Sequence, residues 1–405
     1  MTMDLEILES GAEKYGTPLY IFDKDEALET ADLYRKIVRD RVKLCFAMKA
    51  NPFLVKSMAG TVDRIEVCSM GEFHICRELG IPPEKMLISG VLKKKADLEK
   101  ILGCCRGKAL YSVESVRQFV QIAEWSAEHR KTVSIYLRLS SGNQFGMDED
   151  TVCRIASQAK RRCFYLDLRG IHYFSGTRKK IKKCAEELDK LDGFLLKLER
   201  KYGCRMEELE YGPGLLVPCF QGEKSTVKED LRGLSQKVSR MRWKGSVTFE
   251  MGRAFTASCG YYLTRVQDMK RRADGGYCIV DGGIHQLQYD GQILGMYPPK
   301  IRVSPKRTVG KTVEWGIYGS LCTANDILAQ RIALKGLKTG DILIFENAGA
   351  YSAMEGMALF LSHELPGIVL YSRDKKWEPA RDRFQTYRLN MTKETNYGNI
   401  IEDSE

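Results

Sequence analysis

A lysine closes a short apolar run in Lys43-Leu44-Cys45-Phe46-Ala47-Met48-Lys49-Ala50-Asn51-Pro52. Leu44 to Met48 reads as a buried strand, and Asn-Pro ends regular structure at once. Lys49 is therefore expected where a strand leaves its sheet, the end at which α/β folds keep their chemistry. A part-buried amine in that position can attack a carbonyl carbon and form a Schiff base. On an isolated strand the same lysine would simply snorkel to water.

Other chemically able residues follow other apolar runs. Strands are predicted at 43–48, 64–67, 86–89, 109–113, 132–139, 166–173, 208–211 and 246–250. Helical stretches such as 71–79, 94–102, 115–125 and 180–202 alternate with them. Ser69-Met70-Gly71-Glu72 follows the second strand and Ser89-Gly90 the third, and Arg138 stands near the end of the fifth. Phe174-Ser175-Gly176-Thr177 follows the sixth, Gly212-Pro213-Gly214 the seventh and Glu250-Met251-Gly252-Arg253 the eighth. Eight strand-then-helix units predict an α/β fold of the (β/α)8 TIM type, with these residues gathered at its C-terminal face.

The positioning elements divide in two. Residues 17–22 read as a strand, after which Asp23 caps a helix with apolar positions at Ala27, Leu28, Ala31, Tyr34, Ile37 and Val38. After about residue 260 the helical period gives way to strand-like segments at 261–267, 277–281, 312–318 and 341–346, separated by Gly and Pro turns. The expected division is a barrel over 24–260 and a β-rich domain from 1–23 and 261–405. The polar tail from Thr392 is expected to fray.

Composition limits the function classes. Of 405 residues 43% are hydrophobic, enough for a globular chain too long for one ordinary core. The net charge of +11 favours acidic partners or anionic substrates. No basic arm, zinc-finger spacing or aromatic-basic motif points to nucleic acid. Lys93-Lys94-Lys95 and Lys179-Lys180 read as solvated helix faces. The 13 scattered cysteines, without a CxxC pair, fit a reducing cytosol and a cytoplasmic protein. The five histidines stand too far apart for a metal site, and no apolar run reaches membrane-spanning length.

Barrels often bind phosphate in the loops after their last two strands. Here those loops carry Gly212, Gly214, Gly252 and Arg253, facing an amine on strand one. That combination suggests pyridoxal 5'-phosphate, with Glu250 paired to its pyridine nitrogen.

The chain resembles the fold-type III pyridoxal-phosphate decarboxylases, the diaminopimelate and ornithine decarboxylase family, from about Tyr15 to Tyr371. The resemblance is carried by Tyr15-Gly16-Thr17-Pro18-Leu19-Tyr20, Ala47-Met48-Lys49-Ala50-Asn51, Gln144-Phe145-Gly146-Met147-Asp148, Gly170-Ile171-His172, Glu250-Met251-Gly252-Arg253, Val280-Asp281-Gly282-Gly283, Leu321-Cys322-Thr323 and Asn347-Ala348-Gly349-Ala350-Tyr351. It implies an alanine racemase-like barrel whose β-rich domain includes the N-terminal strand. It also implies that Lys49 is the Schiff-base lysine and that Glu250 partners the pyridine nitrogen. Gly214 and Arg253 then lie at the phosphate or the substrate, and Tyr351 contacts the phosphate. Cys322, reaching in from a partner subunit, returns a proton to the substrate's α-carbon. A homodimer with active sites at its interface follows.

The sequence also departs from that pattern. Phe174 stands where the family has a histidine stacked on the cofactor ring, and Thr177 where it has serine. Gly212-Pro213-Gly214 replaces a triple glycine and so lacks one amide donor. Thr323 replaces an acid that holds a distal substrate amine. The arginine and tyrosine expected after Gly283 are not evident, Tyr289 and Ile293 standing near their places. The segment between Arg138 and Phe145 is short. With Arg138, Arg253 and Thr323 as substrate-side candidates, these changes suit an amino acid with a neutral far end, free or joined to an acidic carrier protein. Residues 170–177, 321–323 and 361–366 resemble the carrier-protein-linked decarboxylases of the family. The alternatives are a diaminopimelate decarboxylase of lysine biosynthesis, an amino-acid racemase and a non-catalytic regulatory homologue.

Overall fold

The computed structural model describes residues 2–38, 41–272 and 275–392. Beyond Thr392 the polar tail lies outside the described residues. Two compact units are present. One comprises Leu28–Val217 and Ser225–Phe255, the other Met1–Ala27, Pro218–Lys224 and Thr256–Glu405.

After β1 (Leu19–Asp23), eight parallel strands close the first unit into a barrel. They are β2 (Val42–Ala47), β3 (Arg64–Val67), β4 (Met86–Ile88), β5 (Leu110–Val113), β6 (Val133–Arg138), β7 (Leu166–Phe174), β8 (Glu208–Gly212) and β9 (Ser246–Met251), with β9 hydrogen-bonded back to β2. Most of the strands are apolar because both faces are covered, by barrel interior on one side and helices on the other, while β3 and β8 bring charges inside. β4 and β5 are buried at every position. Gly170 admits the close approach of β7 to β8, since a Cβ there would lie 1.8 Å from the Glu208 carbonyl oxygen.

Side-chain oxygens start the outer helices. Ser69 accepts from Glu72 N–H at 3.2 Å, Ser115 from Gln118 N–H at 3.3 Å and Asp148 from Thr151 N–H at 2.8 Å. The helix Ile181–Tyr202 stops at Gly203, whose φ of 65° is left-handed.

The barrel interior carries a charged cluster on its axis. Arg64 of β3 donates to Glu210 at 3.0 Å, to Thr248 at 3.4 Å and also to Glu208 and Tyr136. Burial pushes the Glu208 carboxyl up, but the Arg64 charge and hydrogen bonds from Tyr136, Arg64 and Arg169 prevail and leave it at about 2. Burial raises Glu210 to about 8, with Arg64 opposing the shift and Glu250 adding to it. One carboxyl is thus ionised and its neighbour protonated at neutral pH.

The second unit is a mixed sheet. It contains β10 (Gly260–Arg272), β11 (Gly275–Val280), β12 (Ile301–Ser304), β13 (Thr312–Tyr318), β14 (Ile327–Lys335), β15 (Ile342–Phe345), β16 (Gly367–Ser372) and β17 (Lys376–Arg381). Its main path runs β14-β13-β11-β10-β1-β16-β17, with β15 pairing both β10 and β12. β1 lies between β10, antiparallel, and β16, parallel. The helix Leu5–Tyr15 packs Leu8 and Ala12 against Leu19, Ile21, Leu263 and Ile344.

Candidate active site

Lys49 sits on a single 3-10 turn, Met48–Ala50, directly after β2. Asn51 fixes the exit, its Oδ1 accepting the Phe53 N–H at 3.2 Å at the start of the next turn. The Lys49 ammonium is paired with Glu66 of β3. It also lies 3.5 Å from Cys68 Sγ and 4.0 Å from Glu250 Oε1 at the end of β9. Glu66 is held as an acceptor by the Ser89 hydroxyl at 2.6 Å and the Cys68 thiol at 3.1 Å. Burial, and then the charge of Glu66, push that thiol well up, so Cys68 donates as a neutral group.

Glu250 is buried, and its Oε2 is 3.2 Å from His172 Nε2. His172 Nδ1 lies 2.8 Å from the Ser112 hydroxyl. Burial, then the Arg138 charge, lower the imidazole to about 3, so His172 is neutral. Ser89 stands where the sequence placed it, whereas Glu66, Cys68 and Ser112 were not marked as site residues from the sequence and His172 stood only within a family motif. Their one legible signal is a polar residue inside an apolar strand, or just past its end.

Arg138, at the end of β6, is buried. It pairs with Glu114 at 2.6 Å and lies over the Phe145 ring at 4.8 Å. The other Glu114 oxygen accepts the Gly146 N–H at 2.9 Å. The guanidinium thus already has a carboxylate and fixes the 139–147 loop.

The glycine-bearing loops stand at the same end of the barrel. Gly214 has φ 53°, and a Cβ on it would lie 2.0 Å from the Gly176 carbonyl oxygen. A Cβ on Gly212 would come 2.5 Å from the Phe174 ring. The Lys179 N–H donates to the Gly214 carbonyl at 2.8 Å. Phe174 is half-buried, Thr177 exposed and Gly252 buried, and Arg253 opens the short helix Arg253–Thr256.

Two lysine runs differ from the expected solvated faces. Lys93 turns inward and donates to the carbonyls of Gly90 and Ser112 at 2.7 and 2.8 Å and to Gln118 at 3.2 Å, and burial lowers it to about 8. Lys179 is buried against Glu187 at 2.7 Å. In both places a strand-end loop offers acceptors that a lysine stem can reach from the next helix start, and a satisfied ammonium there replaces water.

Three sequence-marked residues lie in the sheet unit. Cys322 is exposed on the turn between β13 and β14, next to Thr323. Asp326 anchors that turn, accepting from Leu321 N–H and Ile284 N–H, each at 2.8 Å. Gly283 and Gly319 must be glycine there, since a Cβ on either would overlap the Asp326 carboxylate. Tyr351 has a left-handed φ of 67° in the loop after β15. Tyr289 is buried and donates to the Glu346 carbonyl at 2.6 Å, while Ile293 is exposed.

The strand-end set suits a phosphorylated aldehyde cofactor. It has an amine, a buried carboxylate whose Oε2 makes no hydrogen bond, and a glycine cradle that a single Cβ would fill. No cluster of three or more metal-ligating side chains occurs among the described residues, and no helix there is long and apolar enough to cross a membrane.

Comparison with known proteins agrees with this chemistry. The chain is 27% identical over 365 residues to the diaminopimelate decarboxylase of Aquifex aeolicus, covering 85% of this chain and 84% of that one. It is 26% identical over 411 residues to the L-glutamyl-[BtrI acyl-carrier protein] decarboxylase of Niallia circulans, covering 94% of each. A crystal structure of diaminopimelate decarboxylase from M. jannaschii with L-lysine superposes with a TM-score of 0.80 at 22% identity, over 92% of this chain and 91% of that one. The family model described as "Pyridoxal-dependent decarboxylase, C-terminal sheet domain" matches residues 19–349. The chain is therefore a member of the pyridoxal-dependent amino-acid decarboxylases, with a closed parallel barrel and a separate mixed sheet.

Proposed function

We propose that this enzyme decarboxylates an amino acid whose far end is neutral, most simply one held through an amide or thioester on an acidic carrier protein. When bound, the cofactor supplies the electron sink that lets the α-carboxylate leave as CO2. The observation that carries the site reading is the convergence of Lys49, Glu66 and Glu250 at one barrel mouth. In this reading Lys49 holds the cofactor through its amine, and Glu66 keeps that amine in place. Glu250 faces the ring nitrogen, with neutral His172 placing Nε2 3.2 Å from its Oε2. Gly212, Gly214, Gly252, Arg253 and Tyr351 receive the phosphate, with Phe174 and Thr177 lining the ring. Arg138 acts by positioning the 139–147 loop. Cys322 delivers the proton that replaces the lost carboxylate on the α-carbon.

We place Cys322 and Tyr351 in trans, from the second subunit of a homodimer. Mixing inactive Lys49→Ala and Cys322→Ala proteins should restore part of the activity, since one hybrid site in each mixed dimer is intact. Subunit exchange without any recovery would refute shared sites.

The substrate reading rests on the distal groups. Diaminopimelate carries a second amino-carboxylate, and recognising it in a closed site needs a cation and an anion. Losing one such partner costs about 3–5 kcal/mol. Thr323 stands in place of the acid, and Tyr289 spends its hydroxyl on the Glu346 carbonyl. A chain with net charge +11 also attracts an acidic carrier at long range. Free meso-diaminopimelate is expected to turn over with kcat/KM well below about 10⁴ M⁻¹s⁻¹, whereas a glutamyl-carrier conjugate should release CO2 faster. Efficient turnover of the free diamino acid would sink this assignment in favour of lysine biosynthesis.

A further inference from the structure

The loops at the phosphate end share a support built from side chains. Lys179 Nζ donates to the Ser175 hydroxyl at 2.9 Å, to Glu187 at 2.7 Å and to the Gly212 carbonyl at 3.2 Å. Its own N–H reaches the Gly214 carbonyl at 2.8 Å. Glu187, on the helix Ile181–Tyr202, also accepts from Ser175 and from the Tyr211 hydroxyl, the latter at 2.8 Å. Lys179 and Glu187 are both buried, with side-chain exposures of 8% and 4%. The ammonium lies 5.9 Å from the Phe174 ring centroid and 5.3 Å from that of Tyr211.

The Lys179 contacts other than Glu187 run to the ends of two strands: Ser175 belongs to the loop after β7, Gly212 ends β8 and Gly214 lies in the loop that follows it. Pro213 has no N–H, so the second loop brings fewer donors to an anion and cannot be ordered by that anion as fully as an all-glycine loop. A buried ion pair is a costly way to fill space, since apolar residues of similar size usually pack there at no loss. Its retention calls for a directional role, and from Lys179 the bonds reach Ser175, Gly212 and Gly214.

We propose that Lys179 is a positioning residue for the cofactor phosphate, clamping the 174–177 and 212–214 loops so that their remaining amides converge although Pro213 has replaced a donor. The proposal rests on the cofactor reading above. It concerns binding of the phosphate and not of the pyridine ring, because among the described residues no contact of Lys179 leads to Lys49 or Glu250.

The test compares equilibrium binding of pyridoxal phosphate and of unphosphorylated pyridoxal to the apoprotein, read by absorbance and ligand-dependent melting. In Lys179→Met the preference for the phosphorylated form should fall about tenfold or more, with pyridoxal affinity unchanged. Glu187→Gln keeps an acceptor for the ammonium and should hold the preference at or above wild type. Because Lys179→Met strands the Glu187 carboxylate, the double variant Lys179→Met/Glu187→Leu, which leaves no buried charge, is measured beside it and should show the same loss. An unchanged preference in a folded variant overturns the proposal, as does an equal fall for both ligands. A wild-type protein without any preference for the phosphorylated form would overturn the phosphate assignment of these loops itself, an outcome distinct from failure of the clamp.

Discussion

Lys49→Ala protein is expected to lose CO2 release by at least roughly 10⁴-fold, because the amine that holds the cofactor is gone. Lys49→Arg is the sharper variant. It keeps a cation for the buried Glu66 carboxylate, so the fold and the barrel-mouth hydrogen bonds are preserved, yet it offers no primary amine. Both variants should be equally inactive, with Lys49→Arg the more stable, since the alanine leaves Glu66 with Ser89 and Cys68 as its partners among the described residues. Borohydride treatment of wild-type holoenzyme followed by peptide mapping should find the pyridoxyl group on Lys49. A label on Lys93 or Lys179 would remove the basis of the whole site reading.

The largest effect on stability is expected from Arg64→Met. Arg64 is the cation that Glu208, Glu210 and the Tyr136 hydroxyl share inside the barrel. Removing it takes the shared cation from two buried carboxyls, Glu208 keeping Arg169 at 2.7 Å, and breaking a buried pair of this kind typically costs about 3–5 kcal/mol. The pH dependence gives a second readout. The Glu208 carboxyl is held at about 2, below its ordinary value of 4.5. Its stabilising contribution is therefore present above about pH 4.5 and is lost as pH falls toward 2. Glu210, raised to about 8, works in the opposite sense: its contribution is full below about pH 4.5 and disappears as pH rises through 8. In Arg64→Met the acid-side loss should shrink, because Glu208 loses the largest charge that holds it down and keeps Arg169 at 2.7 Å. Denaturant midpoints at pH 3, 7 and 9 would measure both arms, and an unchanged midpoint at pH 7 would disprove the shared-cation account.

The barrel was legible because its strands are buried on both faces, and buried strands read as short apolar runs. Each predicted strand from 43–48 to 246–250 ends within one residue of the observed element. The sheet unit was only half legible. β14 mixes exposed and buried positions without a clean alternation, and β17 carries Pro379 and several charges at an edge. β12 and β16 were also not anticipated, nor was the helix Leu5–Tyr15, whose acidic start hides an apolar face at Leu8 and Ala12. At the site, Lys49 and Glu250 could be found because each is a charge that ends an apolar run. Glu66 and His172 sit within such runs, where one polar residue looks like an interruption of a strand until the barrel closes around it. Lys93 and Lys179 were misread for the converse reason. Adjacent lysines read as solvent-facing, and only the three-dimensional path of the loops reveals the carbonyls that receive them.

The place of β1 in the sheet has a consequence for synthesis. Barrel strand β9 is complete at Met251, so the whole closed barrel can form while the ribosome is still making the sheet unit. β1, although made before the barrel, lies between β10 and a strand that begins at Gly367. At roughly 5–20 residues per second, its wait for that partner lasts tens of seconds. During that interval Leu19, Ile21 and Phe22, all fully buried in the finished protein, lack the sheet strands that flank them. β1, and not the barrel, is thus the segment that a growing polypeptide must keep from pairing with the wrong edge.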